Sequence, residues 1–188
     1  MSLWSGWRRP NIDELKRSGN VSELTAALHH REAAIRFAAA VALAESSQAQ
    51  GVRSLLLDTS REYASESLDA LARLARSVTS LLVQALEDPA MNVRHRAAWA
   101  LSTLKADGPV ERVVHTVLRD RLAYLCNVYE DRCGMPVEQM LRNYGELAAA
   151  PIAQAREDPG FDQAFITRVY QAGPGRNGKN TPPDGTAG

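Results

Sequence analysis

The sequence predicts an all-α protein: a stack of about three short helix pairs, closed by divergent helices at its C-terminal end. Three observations predict this. Alanine and leucine dominate, glycine and proline fall at punctuation points, and one segment recurs 58 residues further along the chain (Ala85 against Ala27). No stretch sustains the period-two alternation that a half-buried strand requires.

Residues 1–10 form an N-terminal arm carrying Trp4, Trp7, Arg8 and Arg9. It lacks the apolar run of a signal peptide. The simplest role for its tryptophans is to cap the exposed end of the first repeat; anchoring a partner or a membrane surface is the alternative. Residues 11–108 are expected to hold the repeats, and several helix starts there have readable chemistry. Asn11 and Asn20 each stand three residues before a glutamate, Glu14 and Glu23, and Thr59 stands three before Glu62. A short polar side chain at that place accepts one of the backbone N–H groups a helix start leaves without a carbonyl. Asp88-Pro89 and Asp158-Pro159 predict starts with proline at the first helical position. Gly108-Pro109 and Met135-Pro136 read as further starts, and Gly134 as a helix C-cap.

The repeat itself is read residue by residue. Residues 27–43 match residues 85–101 without a gap. Ala27/Ala85, Leu28/Leu86, Ile35/Val93, Arg36/Arg94, Ala39/Ala97, Ala40/Ala98 and Leu43/Leu101 correspond, and Leu24/Leu82 extends the match upstream. A weaker unit lies between, with Leu56, Leu57, Tyr63, Leu68, Ala70 and Leu71. Each unit reads as a short helix, a polar turn and a longer alanine-rich helix. One such pair cannot bury its apolar stripe alone, so neighbours stack and share a core.

The pattern L-x-x-A-L, a polar turn, then [IV]-R-x-x-A-A-x-A-L resembles the short HEAT-like repeats named after phycobilisome lyases. Leu82-Val83-Gln84-Ala85-Leu86, Val93-Arg94 and Ala97-Ala98-Trp99-Ala100-Leu101 carry it best. Leu24 to Leu43 comes second, and the middle unit departs, with Tyr63-Ala64 in place of the [IV]-R pair. The resemblance spans roughly residues 20 to 104 and implies an α-solenoid. Members of such repeat families serve as adaptors, lyases and nucleic-acid binders, so it implies no single activity.

Residues 109–172 are helical but off the pattern, a cap or a divergent fourth repeat. A long helix is expected from about Pro109 to Arg132. Another runs from Pro136 into Ala148-Ala149-Ala150, where Pro151 breaks or kinks it. The last runs from Pro159 to about Gln171. Val110, Val113 and Val114 lie 28 beyond Leu82, Ala85 and Leu86 and open the divergent unit. Residues 173–188, rich in Gly and Pro, are expected to be a disordered tail. The Gly173-Pro174-Gly175 to Lys179 segment imitates a phosphate loop in letters alone. It lacks the preceding strand and the following helix that aim backbone N–H groups at an anion.

Charge narrows the function classes. Lys+Arg and Asp+Glu are each 22, so the net charge is zero and exerts no global pull on nucleic acid or anionic membrane. No run is long and apolar enough to span a membrane, and the cytoplasm is the default location. Cys126 and Cys133 lie seven apart, without the tight ligand pair of a structural zinc site, and read as buried thiols. His29, His30, His95 and His115 have no nucleophile and carboxylate at a spacing that makes a triad. No catalytic residue, cofactor or metal site is therefore expected. Arg36 and Arg94 hold equivalent positions and are expected to pair with carboxylates such as Glu62, Glu66 or Asp88. The favoured function is a protein-binding scaffold whose longer helices present Arg36, Phe37, Tyr63, Asp69, Arg94, His95 and Trp99 to another protein. The alternative is nucleic-acid binding through a ridge of Arg94, Arg96, Arg73 and Arg76. A lyase-like or chromophore-handling enzyme follows from the family resemblance alone.

Overall fold

A computed structural model of the chain describes residues 9–57, 63–120 and 137–172, and all regular structure there is helical. The chain divides into two compact units between Ala100 and Leu101. The first holds α1 (Ile12–Arg17), α2 (Val21–Ala27), α3 (Ala33–Glu45), α4 (Ala49–Leu57), α5 (Ala64–Arg73), α6 (Ala75–Ala85) and most of α7 (Met91–Thr103). The second holds α8 (Val110–Arg119), α9 (Val137–Tyr144), a 3-10 turn (Gly145–Ala148), α10 (Ala149–Glu157) and α11 (Gln163–Ala172).

In the first unit the shorter helix comes first in each of the pairs α2/α3, α4/α5 and α6/α7. Burial follows the repeat along the inner face of the longer helices, whereas the counterparts Ala27 and Ala85, and Leu28 and Leu86, differ in burial. Ile35 is 4% exposed and its counterpart Val93 is 0% exposed. Ala39 and Ala97, Ala40 and Ala98, and Leu43 and Leu101 are likewise buried in pairs. The middle unit keeps the register, with Ala70 and Leu71 buried. Its Tyr63 fills the slot of Ile35 and Val93. Ser67 fills the slot of Ala39 and Ala97, and its hydroxyl is buried without a hydrogen-bond partner. Small residues let the helices approach. A Cβ at Gly51 of α4 would lie 2.5 Å from the Ala44 nitrogen and 2.7 Å from the Ala40 oxygen of α3, so only glycine fits that crossing.

Local geometry repeats as well as burial. The His30 Nδ1 accepts from the Glu32 N–H at 3.1 Å, and 58 residues on the Asp88 Oδ1 accepts from the Ala90 N–H at 2.8 Å. The Arg36 Nη1 donates to the carbonyls of His30 and Arg31 at 2.9 and 3.0 Å. The Arg94 Nη1 donates to those of Asp88 and Pro89 at 2.7 and 3.1 Å. Each arginine thus clamps the turn before its own helix. The helix ends match too. Ser47 and Lys105 both adopt the left-handed conformation, at φ 54° and 49°. The Gln48 N–H then closes on the Leu43 carbonyl at 2.9 Å, and the Ala106 N–H on that of Leu101 at 3.1 Å.

The predicted caps at Asn11 and Asn20 form, accepting from the Glu14 and Glu23 N–H groups at 3.2 and 3.1 Å. Helix α1 packs against α2 and α3, and its Ile12 and Leu15 cover the apolar end of the first repeat around Leu24, Ala27 and Ile35.

Several boundaries differ from the sequence reading. Helix α7 begins at Met91 and α11 at Gln163, not at Pro89 and Pro159. Asp88 and Asp158 instead accept the N–H two residues on, making a turn ahead of the helix. The cap of α11 is Asp162, which accepts from the Phe165 N–H at 3.0 Å. Pro151 does not end a helix. It lies in the first turn of α10, where an N–H would have no intrahelical acceptor anyway. The break comes earlier, at Gly145 with φ 56°. The helix expected from Pro109 is described over Val110–Arg119, with Pro109 as its cap. Its continuation to Arg132, the Thr59 cap, Gly134, the cysteines, Trp4, Trp7 and the 173–188 tail lie outside the described residues. In the second unit α10 packs on α8 and α11, and α9 on α8 and α11.

Candidate functional site

The residues that face away from the repeat core are set by helical geometry. Positions i, i+3, i+4 and i+7 form one stripe along a helix. On α3 the stripe opposite the buried face is Ala34, Phe37, Ala38 and Val41: Ala34 is exposed and the others are half-buried. Between Ala33 and Ala44 the only polar residue is Arg36, and its guanidinium holds the turn. Helix α3 therefore has no polar face. The Phe37 ring stacks on that of Tyr63, centroids 4.9 Å apart and planes 16° from parallel. Tyr63 stands at the start of α5, which continues with exposed Glu66 and Asp69. An apolar ridge on α3 thus borders a helix bearing exposed carboxylates.

On α7 the equivalent stripe is Asn92, His95, Arg96 and Trp99. Asn92 is exposed, and His95 and Trp99 are half-buried. Arg96 leaves the surface: it is 8% exposed, and its Nη1 donates to the Leu56 carbonyl in the last turn of α4 at 3.2 Å. A cation at a helix C-terminus is favourably placed against the helix dipole. The expected arginine ridge accordingly loses Arg96 to the core. Arg94 is half-buried on the turn carbonyls, whereas Arg73 is exposed.

Of the seven residues expected to meet a partner, the structure brings Phe37 and Tyr63 into direct contact and leaves Asp69 exposed. Arg36 takes two backbone carbonyls of its own turn, where carboxylates were expected; Arg94 takes the Asp88 and Pro89 carbonyls, and its charge also helps to keep the Asp88 carboxyl ionised. The Asp88 carboxylate is instead held by Arg53 of α4, at 2.6 and 3.3 Å. That hydrogen bond, opposed by burial and helped by the Ala90 N–H, keeps the Asp88 carboxyl below the usual carboxylate range.

Sequence reasoning missed Ala34, Ala38 and Val41. Their signal was present, because twelve consecutive positions with one polar residue cannot make an amphipathic surface helix.

In the second unit the Tyr144 hydroxyl is buried without a partner, and burial, then Asp107, pushes its ionisation up. Leu147 and Tyr170 are exposed, and Arg156 lies over the Tyr170 ring at 5.0 Å. His115 meets Phe161 edge-on at 5.0 Å. Among the described residues no three His, Cys, Asp or Glu side chains group as metal ligands, and no helix is long and apolar enough to cross a membrane. Searches of protein-family models, of curated proteins and of solved structures find no match to this chain.

Proposed function

We propose that this chain is a protein-binding scaffold, an α-solenoid of short HEAT-like helix pairs acting in the cytoplasm and catalysing no reaction of its own. The observation that carries the reading is the α3 ridge. Helices α3 and α7 share their turn clamp, their buried register and their C-cap, yet α3 alone presents an apolar stripe. Folding requires the shared features and does not require the stripe. An apolar stripe beside a stacked aromatic pair is the surface chemistry of a protein contact. The alternative, nucleic-acid binding through the arginines, keeps exposed Arg73 but is weakened by the engagement of Arg94 and Arg96 with backbone carbonyls.

The test is capture from native lysate by the immobilised chain, read by quantitative mass spectrometry. Wild type is compared with Ala34→Glu on the α3 ridge and with Asn92→Glu at the equivalent place on α7. Both positions are exposed, and glutamate in a first helical turn suits the dipole, so the fold is expected to hold. The scaffold reading expects a defined set of proteins that Ala34→Glu loses and Asn92→Glu keeps. Equal capture by all three, with unchanged helical circular dichroism, overturns it.

A further inference from the structure

We propose that the partner of the α3 ridge is a cationic amphipathic helix, its apolar stripe laid on Ala34, Ala38 and Val41 and its lysine or arginine side chains over Glu66 and Asp69 of α5. This partner class rests on the scaffold reading, which by itself leaves the chemistry of the partner open.

Geometry selects a helix. Ala34, Ala38 and Val41 recur at i, i+4 and i+7, the spacing that lines one helix face, and they run about 10 Å along the axis. Their small side chains let a second helix approach closely, and the Phe37–Tyr63 stack walls the ridge on the α5 side. An extended peptide needs a strand edge to supply main-chain hydrogen bonds, and all regular structure among the described residues is helical.

Charge selects a cation. With Tyr63 in the slot of Ile35, Glu66 and Asp69 hold on α5 the positions that Ala38 and Val41 hold on α3. The apolar row and the acidic row thus lie on two helices in contact. Both carboxylates are exposed, and among the described residues neither enters an ion pair. Helix α7 has no such row: buried Arg96 and half-buried Trp99 stand at those places. Beyond the row the charges balance. Glu45 at the end of α3 pairs with Lys16, and exposed Arg73 holds the matching place on α5. A basic flank laid on the row gains two exposed ion pairs, together about tenfold in affinity. An acidic flank meets repulsion there.

The experiment measures, by fluorescence anisotropy, the binding of three labelled peptides to the full chain, each of about 18 residues, long enough to hold a helix. The first has a leucine stripe flanked by lysine and arginine. The second has glutamate in place of those basic residues. The third has the composition of the first in an order without a stripe. The chain is expected to bind the first about tenfold tighter than either of the others. Glu66→Gln with Asp69→Asn is expected to bring the first and second within about twofold of one another. Val41→Gln is expected to weaken the first several-fold, with helical circular dichroism unchanged in both variants. Equal binding of the first and second peptides, lost in Val41→Gln, overturns the cationic class and leaves the scaffold reading standing. Binding of the first peptide that neither variant changes, or that the third peptide matches, overturns the proposal, because the ridge is then not the site. So does the absence of binding by all three peptides, and the lysate comparison of wild type with Ala34→Glu then decides the scaffold reading separately. A dimer in sedimentation that Val41→Gln dissolves assigns the ridge to a second copy and also overturns it.

Discussion

Helices α3 and α7 are two versions of one element. Each has 13 residues, an arginine reaching back to two turn carbonyls, a buried Ile or Val one residue before it, and a left-handed residue closing its end. Their other positions share almost nothing: Ala34, Phe37, Ala38 and Val41 stand against exposed Asn92, half-buried His95 and Trp99, and Arg96, which is buried on the Leu56 carbonyl. Positions that point inward or clamp the turn are constrained by folding. Positions that point outward are free to vary, and a difference confined to them carries the functional information.

If the two inner registers are truly equivalent, their loss costs alike. Leu43→Ala and Leu101→Ala each remove a fully buried side chain and are expected to destabilise by about 2–5 kcal/mol, within experimental error of one another, in urea unfolding. A large inequality would break the equivalence. The clamps come next. Arg36→Ala and Arg94→Ala each strip two carbonyls of a charged donor and are expected to cost about 1.5–3 kcal/mol. If the two differ several-fold, only one turn depends on its arginine.

The middle unit sharpens the comparison in the opposite direction. Ser67 sits where both sister units have a buried alanine, and its hydroxyl has no partner. Ser67→Ala is expected to raise stability by about 1 kcal/mol, seen as a higher thermal midpoint. The smallest effect separates the two turns. Asp88 is a carboxylate ionised more readily in the fold than in the unfolded chain, and His30 holds the equivalent place. Its folded pKa is lowered, so its contribution is fully present above the unfolded value near about 3.9 and is lost as pH falls through the folded one. Its partner Arg53 is largely solvated, so the contribution is held below about 1 kcal/mol. Asp88→Asn should flatten the acid limb of the stability profile by that amount. An unchanged limb would remove Asp88 from the account.

Much of this fold was legible because burial writes itself in letters. Alanine and leucine at helical spacing gave the 58-residue register, and Asn11 and Asn20 announced their caps. Other features leave no letter. The acceptors of Arg36 are backbone carbonyls, which every residue possesses, so carboxylates were sought instead. Asp-Pro reads the same whether it starts a helix or makes the turn before one, and this displaced the starts of α7 and α11. Pro151 was taken for a break because its distance from the helix start is set by Gly145, whose left-handed backbone the letters alone do not show. The close crossing at Gly51 depends on which residues of α3 face it. The candidate surface was half legible: Phe37 and Tyr63 were singled out, but not that they touch, and Ala34, Ala38 and Val41 beside them were not.

Helices α3 and α7 carry matching inner registers and different outer positions. The most direct test replaces the α3 ridge with that of α7, as Ala34→Asn, Phe37→His, Ala38→Arg and Val41→Trp in one chain, and measures the thermal midpoint together with partner capture. The account predicts cooperative unfolding with a midpoint within about 4 °C of wild type, the shift that ~1 kcal/mol produces in a chain of this size, and capture reduced to background. Loss of cooperative unfolding would show the ridge to be part of the core, and undiminished capture would show that the binding surface lies elsewhere.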